Sequence, residues 1–239
     1  MMQSPSTGPV IGIVVSTELE ANVLLGSLAG REEISVQHKP FYSGTLKGNV
    51  RAAICICGVG KANAAHGTTL LLERFGPGLV YSIGVAGAYP SSGLKAGDIA
   101  VAEREIYGDE GLALRGTFLT MDAIGFPLCS YGGSDYYNEF PLSVPGHLKD
   151  FTAQGRFLTV SSCTGALEKG RKLEKKFGAI CENMEGAAVA HICTLNGVPA
   201  AEIRGVSNVI EDRAEGPLKR ADIIEAAENV QRFFLERLL

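Results

Sequence analysis

Short runs that are apolar almost throughout alternate along this chain with longer segments of helical period, and that alternation restricts the fold more than any other feature. The runs at 10–15, 51–56, 79–83, 98–102, 156–160, 179–182 and 200–206 read as strands. A strand without a polar face has to be covered on both sides. The segments at 18–28, 61–75, 165–177, 186–195 and 220–238 supply the covering helices. The last of them carries Ile223, Ala227, Val230, Phe234 and Leu238 at steps of three and four, which draws one apolar stripe for packing. The expected fold class is α/β.

At 239 residues the chain suffices for one full domain, expected over 10–239 behind a flexible tip at 1–9. Between 111 and 155 the pattern gives way to Gly, Pro, Ser and aromatics, as in Tyr131-Gly132-Gly133 and Val144-Pro145-Gly146. A connection of that length is functional or mobile. Lys and Arg number 22 against 26 Asp and Glu, and no segment gathers five or six like charges, which argues against a nucleic-acid partner. No apolar run approaches the ~20 residues of a membrane helix, and the start lacks a basic end followed by an apolar stretch. A cytoplasmic protein with no membrane partner is expected. Six scattered cysteines read as buried thiols of a reducing compartment, and neither they nor the four histidines show metal-ligand spacing, so no metal is expected.

The polar residues that interrupt this pattern cluster where strands end. Glu18 and Glu20 follow the first strand, where acids either complement a helix dipole or face the crevice in which open α/β sheets bind ligands. Gly58-Val59-Gly60-Lys61 follows the second strand, as either a tight turn or bare N–H groups for an anion or hydroxyl. Gly84-Val85-Ala86-Gly87-Ala88 follows the third as a small-residue turn, with side chains absent where another chain or a ligand must approach. In Glu182-Asn183-Met184-Glu185-Gly186, Glu185 either complements a helix or accepts from vicinal sugar hydroxyls, with Met184 as an apolar floor. Arg204 stands in an apolar strand and needs a partner if buried; Glu20 and Glu185 are the available acids. Asn208, past that strand, is a turn residue or a reader of an amide-like edge. The convergence of these features on one face favours a small-molecule site.

Taken in order, these motifs resemble the purine nucleoside phosphorylase and nucleosidase superfamily, most closely its nucleosidase branch. The resemblance rests on Ile11-Gly12-Ile13 leading to Glu20, Gly58-Val59-Gly60-Lys61-Ala62-Asn63-Ala64, Gly84-Val85-Ala86-Gly87, Asn183-Met184-Glu185-Gly186 and Arg204-Gly205-Val206-Ser207-Asn208. Within the branch, Tyr107-Gly108-Asp109-Glu110-Gly111, Ile124-Gly125-Phe126-Pro127-Leu128 and Tyr136-Tyr137-Asn138 are similar to the futalosine hydrolases of menaquinone biosynthesis, which release hypoxanthine. The fold this implies is a three-layer αβα arrangement around a central twisted mixed sheet, assembled as a homodimer or larger homo-oligomer.

The resemblance implies a small-molecule nucleoside substrate and no cofactor. It makes Glu20 the carboxylate that orients and activates water, with Arg204 helping to hold that water. A helix N-terminus at Glu20 would keep it ionised near neutrality. Glu185 would bind the ribose hydroxyls and Met184 the sugar face. Asn208 falls where adenine-specific nucleosidases carry an Asp; its amide would donate to a 6-oxo group and accept from N7–H of the leaving base. Val85 stands where some relatives carry a hydroxyl, and Glu20 would repel a phosphate dianion, which argues for water as nucleophile. Cys163 and Thr164 lie where the base-stacking loop should be, Cys163 either on the purine face or a buried structural thiol. Arg213 would meet the aromatic carboxylate of futalosine, or pair with Glu211 or Glu215 at the surface. The alternatives are an adenine-nucleoside nucleosidase acting on aminodeoxyfutalosine or methylthioadenosine/S-adenosylhomocysteine, a phosphorylase, and a non-catalytic nucleoside-binding protein.

Overall fold

In chain order the first strands are β1 (Ile11–Val15), β2 (Ala29–Val36), β3 (Lys39–Leu46), β4 (Val50–Ile56), β5 (Leu79–Ala88) and β6 (Ile99–Tyr107). Two short hairpins follow, β7 (Gly111–Leu114) with β8 (Thr117–Thr120) and β9 (Cys129–Tyr131) with β10 (Ser134–Tyr136). The last strands are β11 (Glu139–Pro141), β12 (Gln154–Thr159), β13 (Ala179–Asn183) and β14 (Ala200–Val209). The helices are α1 (Asn22–Gly26), α2 (Lys61–Phe75), α3 (Met121–Ile124), α4 (Leu167–Phe177), α5 (Gly186–Leu195) and α6 (Arg220–Arg237). This computed structural model describes residues 9–151, 153–213 and 219–238; the expected tip, apart from Pro9, lies outside them.

The main sheet is mixed and runs β11-β6-β12-β13-β5-β1-β4-β3-β2, with β14 paired to both β5 and β6. Parallel pairs join β1 to β4 and β5, β5 to β14, and β12 to β6 and β13. Antiparallel pairs join β14 to β6 and β13 to β5. Strands β5, β14, β6, β12 and β13 therefore close a ring, so the sheet curls shut at one side while β4, β3 and β2 extend from the other.

Alternation along β1 sends its side chains to two cores. Val14 joins Leu70 and Leu71 of α2 and Val189 and Cys193 of α5 on one face. Ile13 and Val15 join Leu24 of α1 and Val230 and Phe234 of α6 on the other. Phe234 meets Tyr81 edge-on at a ring separation of 4.9 Å. Helices thus cover both faces of the sheet, as the unbroken apolar strands require.

Gln231 of α6 ties that helix to the segment after β1. Its Oε1 accepts from the backbone N–H groups of Val23 and Leu24, and its Nε2 donates to the carbonyls of Leu19 and Ala227. A buried amide thereby caps the start of α1 and holds the turn that carries Glu20.

The strand closest to α6 approaches it through a glycine. A Cβ at Gly205 would lie 2.2 Å from the carbonyl oxygen of Ala226, a backbone atom that cannot turn aside. Gly205→Ala is expected to destabilise the fold by about 1–3 kcal/mol, read as a lowered midpoint of thermal unfolding.

Several sequence expectations change. The helix expected over 18–28 shrinks to Asn22–Gly26, with no acid in its first turn, because 16–21 forms bends and turns bound to other parts of the fold. The segment 84–88 is the continuation of β5 and not a turn, and Ser207 and Asn208 lie within β14, beside a bulge. The hairpin of β2 and β3 escapes the pattern because β2 is mostly exposed, with only Ile34 and Val36 packed on the core, too short an alternation to reveal it. Likewise, 111–155 contains two hairpins and an edge strand, pinned in part by Asn138. Its Nδ2 donates to the carbonyls of Tyr107 and Glu110, and its Oδ1 accepts from Met121 N–H.

Candidate active site

A cavity of about 410 Å³ opens where β1, β5, β13 and β14 end. Eight of the nine sequence-proposed site residues line it: Glu20, Val85, Cys163, Thr164, Met184, Glu185, Asn208 and Arg213. The ninth, Arg204, lies behind the wall at 1% exposure.

Glu20 is 5% exposed and held at both oxygens. Oε2 accepts from the backbone N–H and hydroxyl of Thr17 at 3.0 and 2.9 Å, and Oε1 accepts from Val85 N–H at 3.0 Å. Close approach is permitted by Gly84, where a Cβ would lie 2.5 Å from both Glu20 Oε1 and Arg204 Nη1. The expectation of a helix N-terminus holding Glu20 ionised is corrected here. Burial raises its pKa, and neither the charge of Arg204 nor the Val85 N–H fully reverses that.

Arg204 does have acidic partners, but the nearest is one the sequence reading overlooked. Its Nε donates to Glu202 Oε1 at 2.7 Å, two residues earlier on the same strand and so on the same face. Nη2 donates to the Ser82 hydroxyl at 3.0 Å, while Nη1 lies 3.6 Å from Glu185 Oε2. Burial disfavours the cation, yet Glu202, Glu185 and Glu20 raise its pKa and keep it charged. The Glu-x-Arg spacing within an apolar run was the available signal.

Glu185 accepts from Gly60 N–H at 2.8 Å. The anion met by the Gly58-Val59-Gly60-Lys61 turn is thus the protein's own carboxylate. Asn183 Oδ1 accepts from the N–H groups of Glu185 and Gly186 at 2.9 and 2.7 Å, and Thr159 Oγ1 accepts from Ala187 N–H. These side chains satisfy the free donors at the start of α5 and set the Met184-Glu185 turn.

On the opposite wall, the Ser207 hydroxyl lies 2.9 Å from Asn208 Oδ1 and 3.2 Å from the Ala86 carbonyl oxygen; donating its one hydrogen to the nearer Oδ1 leaves the amide Nδ2 as the group that can donate outward. Gly87 lies alongside, and a Cβ there would come 3.3 Å from that nitrogen.

Thr164 donates to Glu182 through its N–H and hydroxyl, at 2.6 and 2.8 Å, and Tyr89 donates to the same carboxylate at 2.9 Å. Glu182 therefore fastens the 161–165 loop. Cys163 is exposed and not the buried thiol considered above; its Sγ lies 3.4 Å from Met184 Sδ. Arg213 anchors through its N–H to Gly165 O, and no ion pair joins it to Glu211 among the described residues; Glu215 lies outside them. Ile223, assigned to a packing stripe, also lines the cavity. Ser207, Thr17 and Glu182 were not proposed from sequence, since their use depends on partners distant in the chain or on exact side-chain direction.

Among the described residues no group of three or more His, Cys, Asp or Glu side chains is arranged to hold a metal ion. Nor is any described helix long and apolar enough to cross a membrane.

A curled mixed sheet flanked by helices, with the buried carboxylates of Glu20, Glu182 and Glu185 lining one cavity and Arg204 behind its wall, defines a class for which known relatives exist. The chain belongs to the phosphorylase superfamily, whose family profile matches residues 10–239. The 5'-methylthioadenosine/S-adenosylhomocysteine nucleosidase of Staphylococcus aureus (strain MRSA252) is 31% identical over 208 residues, covering 86% of this chain and 89% of that protein. S-adenosylhomocysteine nucleosidase from Streptococcus pyogenes, solved with 5-methylthiotubericidin, superposes with a TM-score of 0.81 at 25% identity, over 98% of each chain. The Streptococcus pneumoniae MTA/SAH nucleosidase, solved with 8-aminoadenine, shares the fold with a TM-score of 0.80 at 22% identity, over 95% of this chain and 98% of that one.

Proposed function

We propose that this protein hydrolyses the N-glycosidic bond of a nucleoside carrying a 6-oxo purine, with futalosine as the substrate and hypoxanthine as the released base. The chain is an enzyme, an N-glycosyl hydrolase like the curated nucleosidases it matches. Cleavage builds positive charge on the sugar and negative charge on the departing base, so both ends need stabilising. Glu20 positions water, accepts its proton and stabilises the cationic sugar; Arg204, behind the wall, acts on Glu20 through its charge and not by holding the water. Glu185 accepts from the ribose hydroxyls, Met184 packs on the sugar face, and Val85 leaves no hydroxyl for phosphate. Cys163 and Thr164 border the base.

The observation that carries the choice of base is the Ser207 to Asn208 hydrogen bond. It leaves the amide NH₂ to face the purine, where a 6-oxo group accepts and a 6-amino group would leave donor against donor. Once N7 of the departing base has taken a proton from solvent, the second lone pair of Oδ1 accepts from that N7–H.

A second reading, cleavage of 5'-methylthioadenosine or S-adenosylhomocysteine, is favoured by the activity named for the 31%-identical relative. Incubation of the purified protein with futalosine, aminodeoxyfutalosine, methylthioadenosine and inosine, each with and without phosphate, separates the two. Hypoxanthine from futalosine, independent of phosphate, supports the first reading. Adenine release supports the second and keeps the water mechanism, whereas a requirement for phosphate overturns hydrolysis.

Arg213 stands at the cavity wall as the cation for the aromatic carboxylate of futalosine. Arg213→Ala is expected to raise KM for futalosine by about tenfold, the loss of one charge-assisted hydrogen bond, while leaving inosine nearly unchanged. An equal effect on both substrates would remove Arg213 from the tail site. A homodimer or larger homo-oligomer is part of the proposal; it would cover exposed Val59, Leu112, Leu114 and Phe126, and light scattering gives the number of copies.

A further inference from the structure

Behind the cavity wall, Glu105 of β6 and Glu202 of β14 are both 0% exposed and within hydrogen-bonding reach of each other. Their carboxyl groups converge on Gly186, where a Cβ would lie 2.2 Å from Glu105 Oε1 and 2.3 Å from Glu202 Oε2. Glu105 Oε2 accepts from Ile106 N–H and the Thr159 hydroxyl, and Oε1 from Asn183 Nδ2. Glu202 Oε1 accepts from Arg204 Nε, but Glu202 Oε2 has no donor if both carboxyls are ionised. Two carboxylates in contact in a dry interior repel, and an orphaned buried oxygen costs free energy. One hydrogen between Glu105 Oε1 and Glu202 Oε2 removes both defects.

We propose that Glu105 and Glu202 share a single proton, and that this singly charged pair is the positioning element that holds Arg204 beside Glu185 and Asn183 on the turn that carries Glu185. Through Glu202 it holds Arg204 Nε, which turns Nη1 toward Glu185 and the Val85 carbonyl. Through Glu105 it holds Asn183 Nδ2, which leaves Oδ1 for the N–H groups of Glu185 and Gly186. The other ionisable groups facing the pair are Cys181, Tyr107 and Glu185, none of which supplies a second cation. Burial raises the pKa of both carboxyls, that of Glu105 further through the charge of Glu202.

Infrared difference spectra test the proton without substrate. Wild type minus Glu202→Gln, at pH 8, is expected to show the C=O band of one protonated carboxyl. In that variant the amide supplies the bridging hydrogen and Glu105, whose oxygens both accept from other donors, ionises. A band absent from wild type, or surviving in Glu202→Gln, overturns the shared proton. The positioning role is read by kinetics and so rests on the nucleosidase reading; should that reading fail, the infrared result stands alone. Glu202→Gln is expected to keep kcat within about threefold, because the charge passes to Glu105, whose donors already suit a carboxylate. Glu202→Leu leaves Arg204 without its partner and is expected to lower kcat at least about 100-fold with little change in KM. Wild-type kcat in the Leu variant overturns the positioning role.

Discussion

Glu20→Gln is expected to lower kcat by about 10³-fold, within the range that a positioned general base contributes, while nucleoside binding stays measurable by calorimetry. The amide preserves the shape of the side chain and can still accept from Val85 N–H or Thr17, but it cannot take a proton from water or stabilise a cationic sugar. Retained turnover would remove Glu20 from the mechanism. The pH profile adds an independent check. Burial raises the pKa of Glu20, so the ionised form is lost as pH falls at values above the ordinary glutamate range. kcat/KM is therefore expected to decline on the acid side from a higher pH than an exposed glutamate would give, and the Gln variant is expected to lack that limb.

Asn208→Asp is expected to change the ratio of kcat/KM for 6-oxo over 6-amino purine nucleosides by at least about 100-fold toward the 6-amino substrate. The substitution replaces an outward donor with an acceptor at nearly constant volume. Ser207 still donates to the near oxygen, so the side chain keeps its place and only its hydrogen-bonding sense changes. Measuring futalosine and aminodeoxyfutalosine side by side reads the ratio directly. An unchanged ratio would assign base selection to the backbone of the 161–165 loop or to Ser207.

The strands and helices nearest the site were legible because their apolar pattern is continuous. The helices Lys61–Phe75 and Gly186–Leu195 match their expected limits, and β1 and β4 differ from expectation by a residue. The polar residues at the strand ends were legible for the same reason: Glu20, Glu185 and Asn208 interrupt apolar surroundings, and eight of nine proposed residues line one cavity. The hairpin of β2 and β3 was not, because β2 is mostly solvated and carries apolar alternation only at Ile34 and Val36.

By itself, then, the sequence determined the α/β class, which segments form the central strands and which polar groups stand at their ends, since these follow from local periodicity and residue type. Closure of the ring through β14, the pairing of Arg204 with Glu202 and the upward shift of Glu20 were decided by tertiary structure alone. Each depends on desolvation and on contacts between segments far apart in the chain, and no local pattern encodes how dry a carboxylate will be or which donor will reach it.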